Sequence, residues 1–301
     1  MEVLTPRDVP LGGLRAMTVR RTLPQRQRSL IGAWCFLDHY GPDDVEGYGG
    51  MVVPPHPHTG LQTVSWLFTG EIEHRDSAGH HATVRPGELN LMTAGRGISH
   101  SEYSTPDTTT LHGAQLWLAL PDGDRQVDPA FEHFAPDAVS GEGWAARVFI
   151  GSLLGSTSPV TTYSPLLGAE LTLAAGTSLR VPVDPTYELG VLVDFGTVTV
   201  DGKLVDAHEL GFLEPGAESL ELTAEEETRL LLLGGPPFGE KIVMWWNYIG
   251  REHDEVVAYR AEWEALLATG TSDRFQLPEG DPLEALHSPP LPNVRMVKRG
   301  P

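Results

Sequence analysis

The chain has 301 residues, of which 41 are acidic and 21 basic, for a formal net charge of −20. So strong a negative excess repels phosphate backbones and anionic lipid surfaces, so neither nucleic-acid nor membrane binding is expected. Hydrophobic residues at 40% exclude wholesale disorder, and the length suits one large domain or two ordinary ones.

The first 28 residues are mixed. Val9-Pro-Leu-Gly-Gly is turn chemistry, and Arg15, Arg20, Arg21, Arg26 and Arg28 form a basic cluster expected to pair with the protein's own acidic surface. Met1-Glu-Val-Leu-Thr-Pro shows neither a basic nor an apolar leader segment, and no apolar run approaches the ~20 residues of a membrane span. A cytoplasmic protein is the expectation. The single cysteine, Cys35, sits in the apolar run Ile31 to Leu37 and reads as a buried, inert thiol in a reducing compartment. Leu30 to Tyr40 predicts a buried strand ending at Gly41-Pro42, with His39 hydrogen-bonded to its neighbour Asp38.

The stretch Pro54-Pro-His-Pro-His-Thr-Gly60 and its counterpart Ala94-Gly-Arg-Gly-Ile-Ser-His-Ser-Glu-Tyr103 carry the chemistry. The pairs His56/His58 and His100/Glu102 are each spaced i, i+2, which puts both members on one face of a strand. Two such strands side by side place three imidazoles and a carboxylate on one wall. That donor set, without thiolates, suits Fe(II), Ni(II), Cu(II), Mn(II) or Zn(II). A lone His-x-His is more often an exposed turn; the doubling favours a metal site. Between the pairs, Val64, Trp66 and Phe68 alternate as in a strand, and Gly70 breaks it. His74, His80 and His81 read as hairpin residues exposed to solvent. Glu88 to Met92 and Leu111 to Leu120 are further strands, the latter with Gln115 and Trp117 on one face and Leu116 and Leu118 on the other.

Residues 121–145, polar and rich in Pro and Asp, read as a connector or lid. From Trp144 a second β-rich half repeats the strand-and-turn rhythm of the first, as in Phe195-Gly-Thr-Val-Thr-Val-Asp-Gly202. It has no His-x-His where one would fall, near Pro182 to Asp184, and no histidine in Thr223 to Arg229. This copy therefore cannot hold metal by the same chemistry. Residues 253–268 predict a helix with Tyr259, Trp263, Leu266 and Leu267 on one apolar stripe, packed on a barrel, and with Glu252, Asp254 and Glu255 at its positive end. The Pro-rich tail from Pro278 wraps the surface or is mobile. Many short strands, Gly/Pro turns, one duplication and little helix predict an all-β double barrel.

Several stretches resemble one known family. Gly50, His56-Pro-His58 and Gln62 resemble the first cupin motif, with Gln62 where most cupins carry a metal-binding Glu. Pro86-Gly-Glu followed by Met92-Thr-Ala-Gly-Arg-Gly-Ile-Ser-His100-Ser-Glu102 is similar to the second motif as pirins have it, the carboxylate lying two residues after the third His. Arg20-Arg-Thr-Leu-Pro, Phe36-Leu-Asp-His-Tyr-Gly-Pro42, His112-Gly-Ala-Gln-Leu-Trp-Leu118 and Gly234 to Asn247 also look like pirin segments. The resemblance implies two cupin jelly-roll barrels face to face, with a short C-terminal helix: residues 1–140 metal-binding, residues 141–301 metal-free. It implies one divalent metal on His56, His58, His100 and Glu102, with Fe(II) expected and Ni, Co, Mn, Cu or Zn also accommodated. It implies flavonol cleavage by O2 of the quercetin 2,3-dioxygenase type, with Glu102 also taking the phenolic proton. Trp66, Phe68, Leu91 and the Met92 to Gly97 segment are the expected pocket wall. Other pirins regulate partner proteins without turnover, so a metal-containing protein-binding role is the competing expectation.

Overall fold

The computed structural model describes residues 1–11, 17–48 and 50–300, and Arg15 and part of the Val9 to Gly13 turn lie outside them. The described chain is built almost wholly of antiparallel strands, as expected for an all-β double barrel. In the first half, a seven-stranded sheet runs in the order Ala130–Phe134, Leu89–Thr93, Leu61–Thr69, Thr110–Ala119, Trp34–Asp44, Thr18–Leu23, Arg7–Pro10. A four-stranded sheet, Val52–His58, Ile98–Ser104, Ile72–Asp76, His81–Val84, faces it. The second half repeats the plan. Its seven-stranded sheet is Glu2–Leu4, Leu210–Leu213, Glu188–Phe195, Thr228–Gly235, Leu167–Leu173, Trp144–Ile150, Val139–Gly141, and its small sheet is Thr177–Pro182, Ser219–Ala224, Val198–Val200, Lys203–Val205.

The two large sheets are buried on both faces. In Leu61–Thr69, Val64 and Trp66 pack into a shared core with Phe149, Leu192, Leu231 and Leu233 of the second half, and half-buried Phe68 packs against it. The intervening residues, Thr63, Ser65 and Leu67, turn into the first barrel by the period-2 rule. The same alternation sends Leu116 and Leu118 to the shared core and Trp117 inward, as the sequence predicts. Cys35 is fully buried beside Trp117, and burial pushes its thiol well above the ordinary range.

Four sequence expectations need correction. The buried strand begins at Trp34, not Leu30, and runs through Gly41-Pro42 to Asp44. The 121–145 segment is not only a connector: Ala130–Phe134 forms the edge of the first large sheet, and Val139–Gly141 starts the second. The helix, His253–Thr269, packs its Val256, Tyr259, Trp263 and Leu266 not on a barrel but on the hairpin Val243–Trp245/Tyr248–Gly250 and Phe275. His39 does not bond Asp38. The alternation turns the two to opposite faces: Asp38 meets Arg21 inside the first barrel, and His39 meets Asp194 of the second half. Of the basic cluster, Arg28 meets the acidic surface as expected, 3.1 Å from Glu214, whereas Arg20 bonds His39 and the Gly41 carbonyl and Arg21 pairs with the buried Asp38. The tail wraps the first barrel: the Leu286 amide donates to the Pro55 carbonyl at 2.8 Å, and Ile242 and Arg299 pair through their backbones. No described helix is long and apolar enough to cross a membrane.

Candidate metal centre

Val52–His58 and Ile98–Ser104 are adjacent antiparallel strands, with His100 opposite His56 and Glu102 opposite Val53. The register slips between these two pairs, so the first strand carries an extra residue, a bulge of the kind that re-aims side chains. His56, His58 and His100 bring ring nitrogens within 4.8 Å of one another, and Glu102 forms a second such group with His100 and His74. All five side chains are buried.

Hydrogen bonds fix which nitrogen each ring offers. His56 Nδ1 lies 2.9 Å from the Pro54 carbonyl, which can only accept, so its Nε2 is left bare. Asp76 Oδ2 lies 3.3 Å from His74 Nε2, and His74 Nδ1 lies 3.3 Å from His100 Nδ1. With the His74 proton held on Nε2 by Asp76, its Nδ1 accepts from His100 Nδ1, so the Nε2 of His100 is bare too. His58 Nδ1 closes no full hydrogen bond, though the Asn247 backbone is near enough to favour its protonation, and its Nε2 faces that of His100 at 3.1 Å. With the His58 proton on Nδ1, two lone pairs confront each other, an arrangement a cation relieves. The donor set therefore fits a divalent transition ion.

Burial sets the charges. It lowers His56 to about 4 and holds His58 and His100 well below 6.5, so the rings are neutral, the form that binds metal. Burial raises Glu102, while His74 and the Ser65 hydroxyl, 3.3 Å away, oppose it. Ser65 belongs to a polar row across the large sheet. In register, Arg21 stands beside Asp38, Asp38 beside Gln115, Gln115 beside Ser65, and Ser65 beside Asn90. Arg21 grips Asp38 with two bonds of 2.6 Å, and Ser65 lies 2.9 Å from Gln115.

A cavity of about 550 Å³ opens above the three histidines and Glu102. Its apolar wall is Phe36 stacked on Trp117 at 4.0 Å, together with Met244, Trp245, Trp246 and Leu286. The expected wall residues lie elsewhere. Trp66, Phe68 and Leu91 face the second half, and Met92 and Ala94 belong to the core beneath Trp117. Gln62 also turns away, donating to Thr93 Oγ1 and to the Thr161 carbonyl.

Of the three histidines read as exposed, His81 is exposed and His80 half-buried on Asp76, but His74 is buried behind His100. Its alternation with Ile72 and Asp76 on one strand face was the available signal. A further cluster, His39, His112 and Asp194, also gathers three potential ligand atoms. Asp194 already receives both rings, at 2.7 and 2.6 Å, and Arg229 at 2.7 Å, while Arg20 donates to His39. Two guanidiniums against one carboxylate leave no charge deficit for a cation, so this is a polar seam between the halves.

Residues 16–118 match the Pirin family model, and residues 168–267 match that of the Pirin C-terminal cupin domain. A Pseudomonas aeruginosa protein named "Putative quercetin 2,3-dioxygenase PA1205" is 43% identical over 294 residues, which are 97% of this chain and 91% of that protein. A Caulobacter vibrioides "Pirin-like protein" is 35% identical over 283 residues, 91% of this chain and 94% of that one. The crystal structure of a quercetin 2,3-dioxygenase from Acinetobacter baumannii superposes with a TM-score of 0.91 at 37% identity, covering 99% of this chain and 97% of that one.

Proposed function

The chain belongs to the pirin family, and from that premise we propose that it is a metal-dependent dioxygenase of planar phenolic aromatics, of the quercetin 2,3-dioxygenase type. One observation carries the reading: three neutral imidazoles gather, with a buried carboxylate beside one of them, His100, at the floor of an aromatic-walled cavity. Relatives named for this activity, at 43% and 37% identity, support it. In this reading residues 1–140 are the metal-holding half and residues 141–301 the metal-free half.

His56, His58, His100 and Glu102 would hold one divalent ion, Fe(II) in the first place, with Ni, Co, Mn, Cu or Zn suiting the same donors. Such an ion supplies Lewis acidity and access to O2 chemistry. The protein's own groups do the rest. Glu102, raised by burial, is poised to take the phenolic proton of a flavonol lying against it. The Ser65 hydroxyl lies within reach of the carboxylate, its one proton shared between Glu102 at 3.3 Å and Gln115 at 2.9 Å. Asp76 and His74 hold the His100 ring in one tautomer. The Phe36–Trp117 stack and the Trp245–Trp246 pair give the cavity an aromatic wall that suits a flat ring.

The test is oxygen uptake by metal-reconstituted protein given quercetin. The expected result is one O2 consumed per flavonol lost. A protein replete with Fe, Ni, Co, Mn or Cu that consumes none with flavonols or catechols would overturn the enzymatic reading and leave the protein-binding role.

A further inference from the structure

The cavity does more than surround a metal centre with aromatic rings. Three arginines, Arg7, Arg21 and Arg299, line it together with Asp38 and Glu102. This is an unusual concentration of positive charge in a chain whose net charge is −20. Arg7 stands directly opposite Arg21 on paired antiparallel strands. Like charges in that relation destabilise a sheet unless something between them compensates. Asp38 closes a bidentate pair with Arg21, and Arg7 is near enough to favour the Asp38 charge without pairing with it. Arg299 reaches the cavity from the far end of the chain, and its backbone is fixed by reciprocal bonds with Ile242 of 2.8 and 2.7 Å. Among the described residues, the carboxylate pairs of the tail are formed by Arg295 and Lys298, and neither Arg7 nor Arg299 has one.

The opposite wall carries a second anomaly. Trp246 has φ of 49° in the two-residue turn between Val243–Trp245 and Tyr248–Gly250. Such a turn favours Asn or Gly, and a bulky aromatic there is strained. Strain of this kind persists where a side chain must be presented in a set direction, and Trp246 is presented to the cavity.

We infer that the cavity is built for a planar aromatic bearing an anionic substituent, its ring held by Trp246 and the Phe36–Trp117 stack and its anion met by Arg7 and Arg299. The inference rests on the aromatic-substrate reading above and narrows it. Arg21, bound to Asp38, frames the ring through its contact with the Phe36 face at 4.4 Å instead of meeting the anion. A neutral flavonol uses only the aromatic half of this site. A phenol carrying a carboxylate or sulfonate uses both halves, its hydroxyl toward Glu102 and its anion toward the mouth.

Calorimetric titration of the anaerobic metal-loaded protein tests this without turnover. The probes are 2-naphthol and 6-hydroxy-2-naphthoate, whose carboxylate is too far from its hydroxyl to chelate an ion. The expected result is binding of both, with the naphthoate tighter by about tenfold at low salt and the advantage shrinking as salt is raised. The double variant Arg7→Gln, Arg299→Gln should erase that advantage and leave 2-naphthol affinity within about twofold. Trp246→Gly, which relieves the turn, should weaken both probes alike. Equal affinities in the native protein, or an advantage that survives the double variant, overturn the anionic inference and leave the aromatic cavity standing. Binding of neither probe overturns both.

Discussion

In the first barrel the paired strands Val52–His58 and Ile98–Ser104 turn His56, His58, His100 and Glu102 inward. In the second, the pair at the same place in the small sheet, Thr177–Pro182 and Ser219–Ala224, turns in Leu179, Val181, Leu220 and Leu222, with Leu179 opposite Leu222 and Val181 opposite Leu220. The large sheets differ in the same way. Where the first presents Ser65, Gln115 and Asp38 in one cross-strand row, the third, fourth and fifth strands of the second present Val191, Leu232 and Ala169. One architecture thus holds a polar cavity in one copy and a filled hydrocarbon core in the other. Filled cores gain roughly 25 cal/mol for each Å² of apolar surface buried, whereas buried polar groups need partners merely to break even. The second barrel and the shared apolar face therefore carry the stability that lets the first keep its cavity.

Cutting into the filled barrel should give the largest effect. Leu222→Ala is expected to cost about 2–5 kcal/mol in chemical denaturation and to leave metal stoichiometry unchanged. Glu102→Gln, in the polar barrel, should do the reverse: stability of the metal-free protein is kept or raised, because a buried carboxylate is removed, while turnover falls by ~10²-fold or more in metal-replete protein. Wild-type turnover in that variant would remove Glu102 from the chemistry. His74→Phe takes away the acceptor that orients His100 without touching a ligand, and metal affinity should drop by about 10–100-fold in a competitive chelator titration.

The seam between the barrels sharpens the contrast through pH. Burial holds His39 near 4, so it is neutral in the folded protein, while the unfolded chain protonates it from about pH 6.5 downward. The groups facing it are Asp194, which is held below its ordinary range, Arg20, His112 and His208. A lowered histidine stabilises fully above its unfolded value, and that share is lost as pH falls from 6.5 toward 4. Urea midpoints of the metal-free protein should fall across that window, and less steeply in His39→Gln. An unchanged slope in the variant would detach the seam from the acid response.

The parts legible in the sequence were those whose information is local. The i, i+2 pairs placed four inward side chains, because a strand sends alternate residues to one face whatever lies around it. The absence of His-x-His in the copy was equally plain. What stayed hidden depended on distant partners. His39 meets Asp194 across 155 residues, and nothing near His39 distinguishes that partner from its neighbour Asp38. Glu71-Ile-Glu-His-Arg-Asp reads as a solvated hairpin until Ile98–Ser104 pairs with it and covers His74. Trp66 and Phe68 were assigned to the pocket because alternation shows that a strand has two faces but not which one meets the cavity, and here both faces are buried. The true wall includes Trp245 and Trp246, from a hairpin that follows the second barrel and returns to the first, where Tyr248 bridges to Thr59.

The central claim is that the two barrels divide the work, one holding the ion and the other filled. Anomalous diffraction from crystals grown with Fe(II) or Zn(II) tests it most directly. The expected result is a single strong peak per chain at about 2.0–2.2 Å from the Nε2 atoms of His56, His58 and His100 and from a Glu102 oxygen, with no peak inside the second barrel. A peak at His39, His112 and Asp194, or none at His56, His58 and His100 in metal-replete protein, would contradict it.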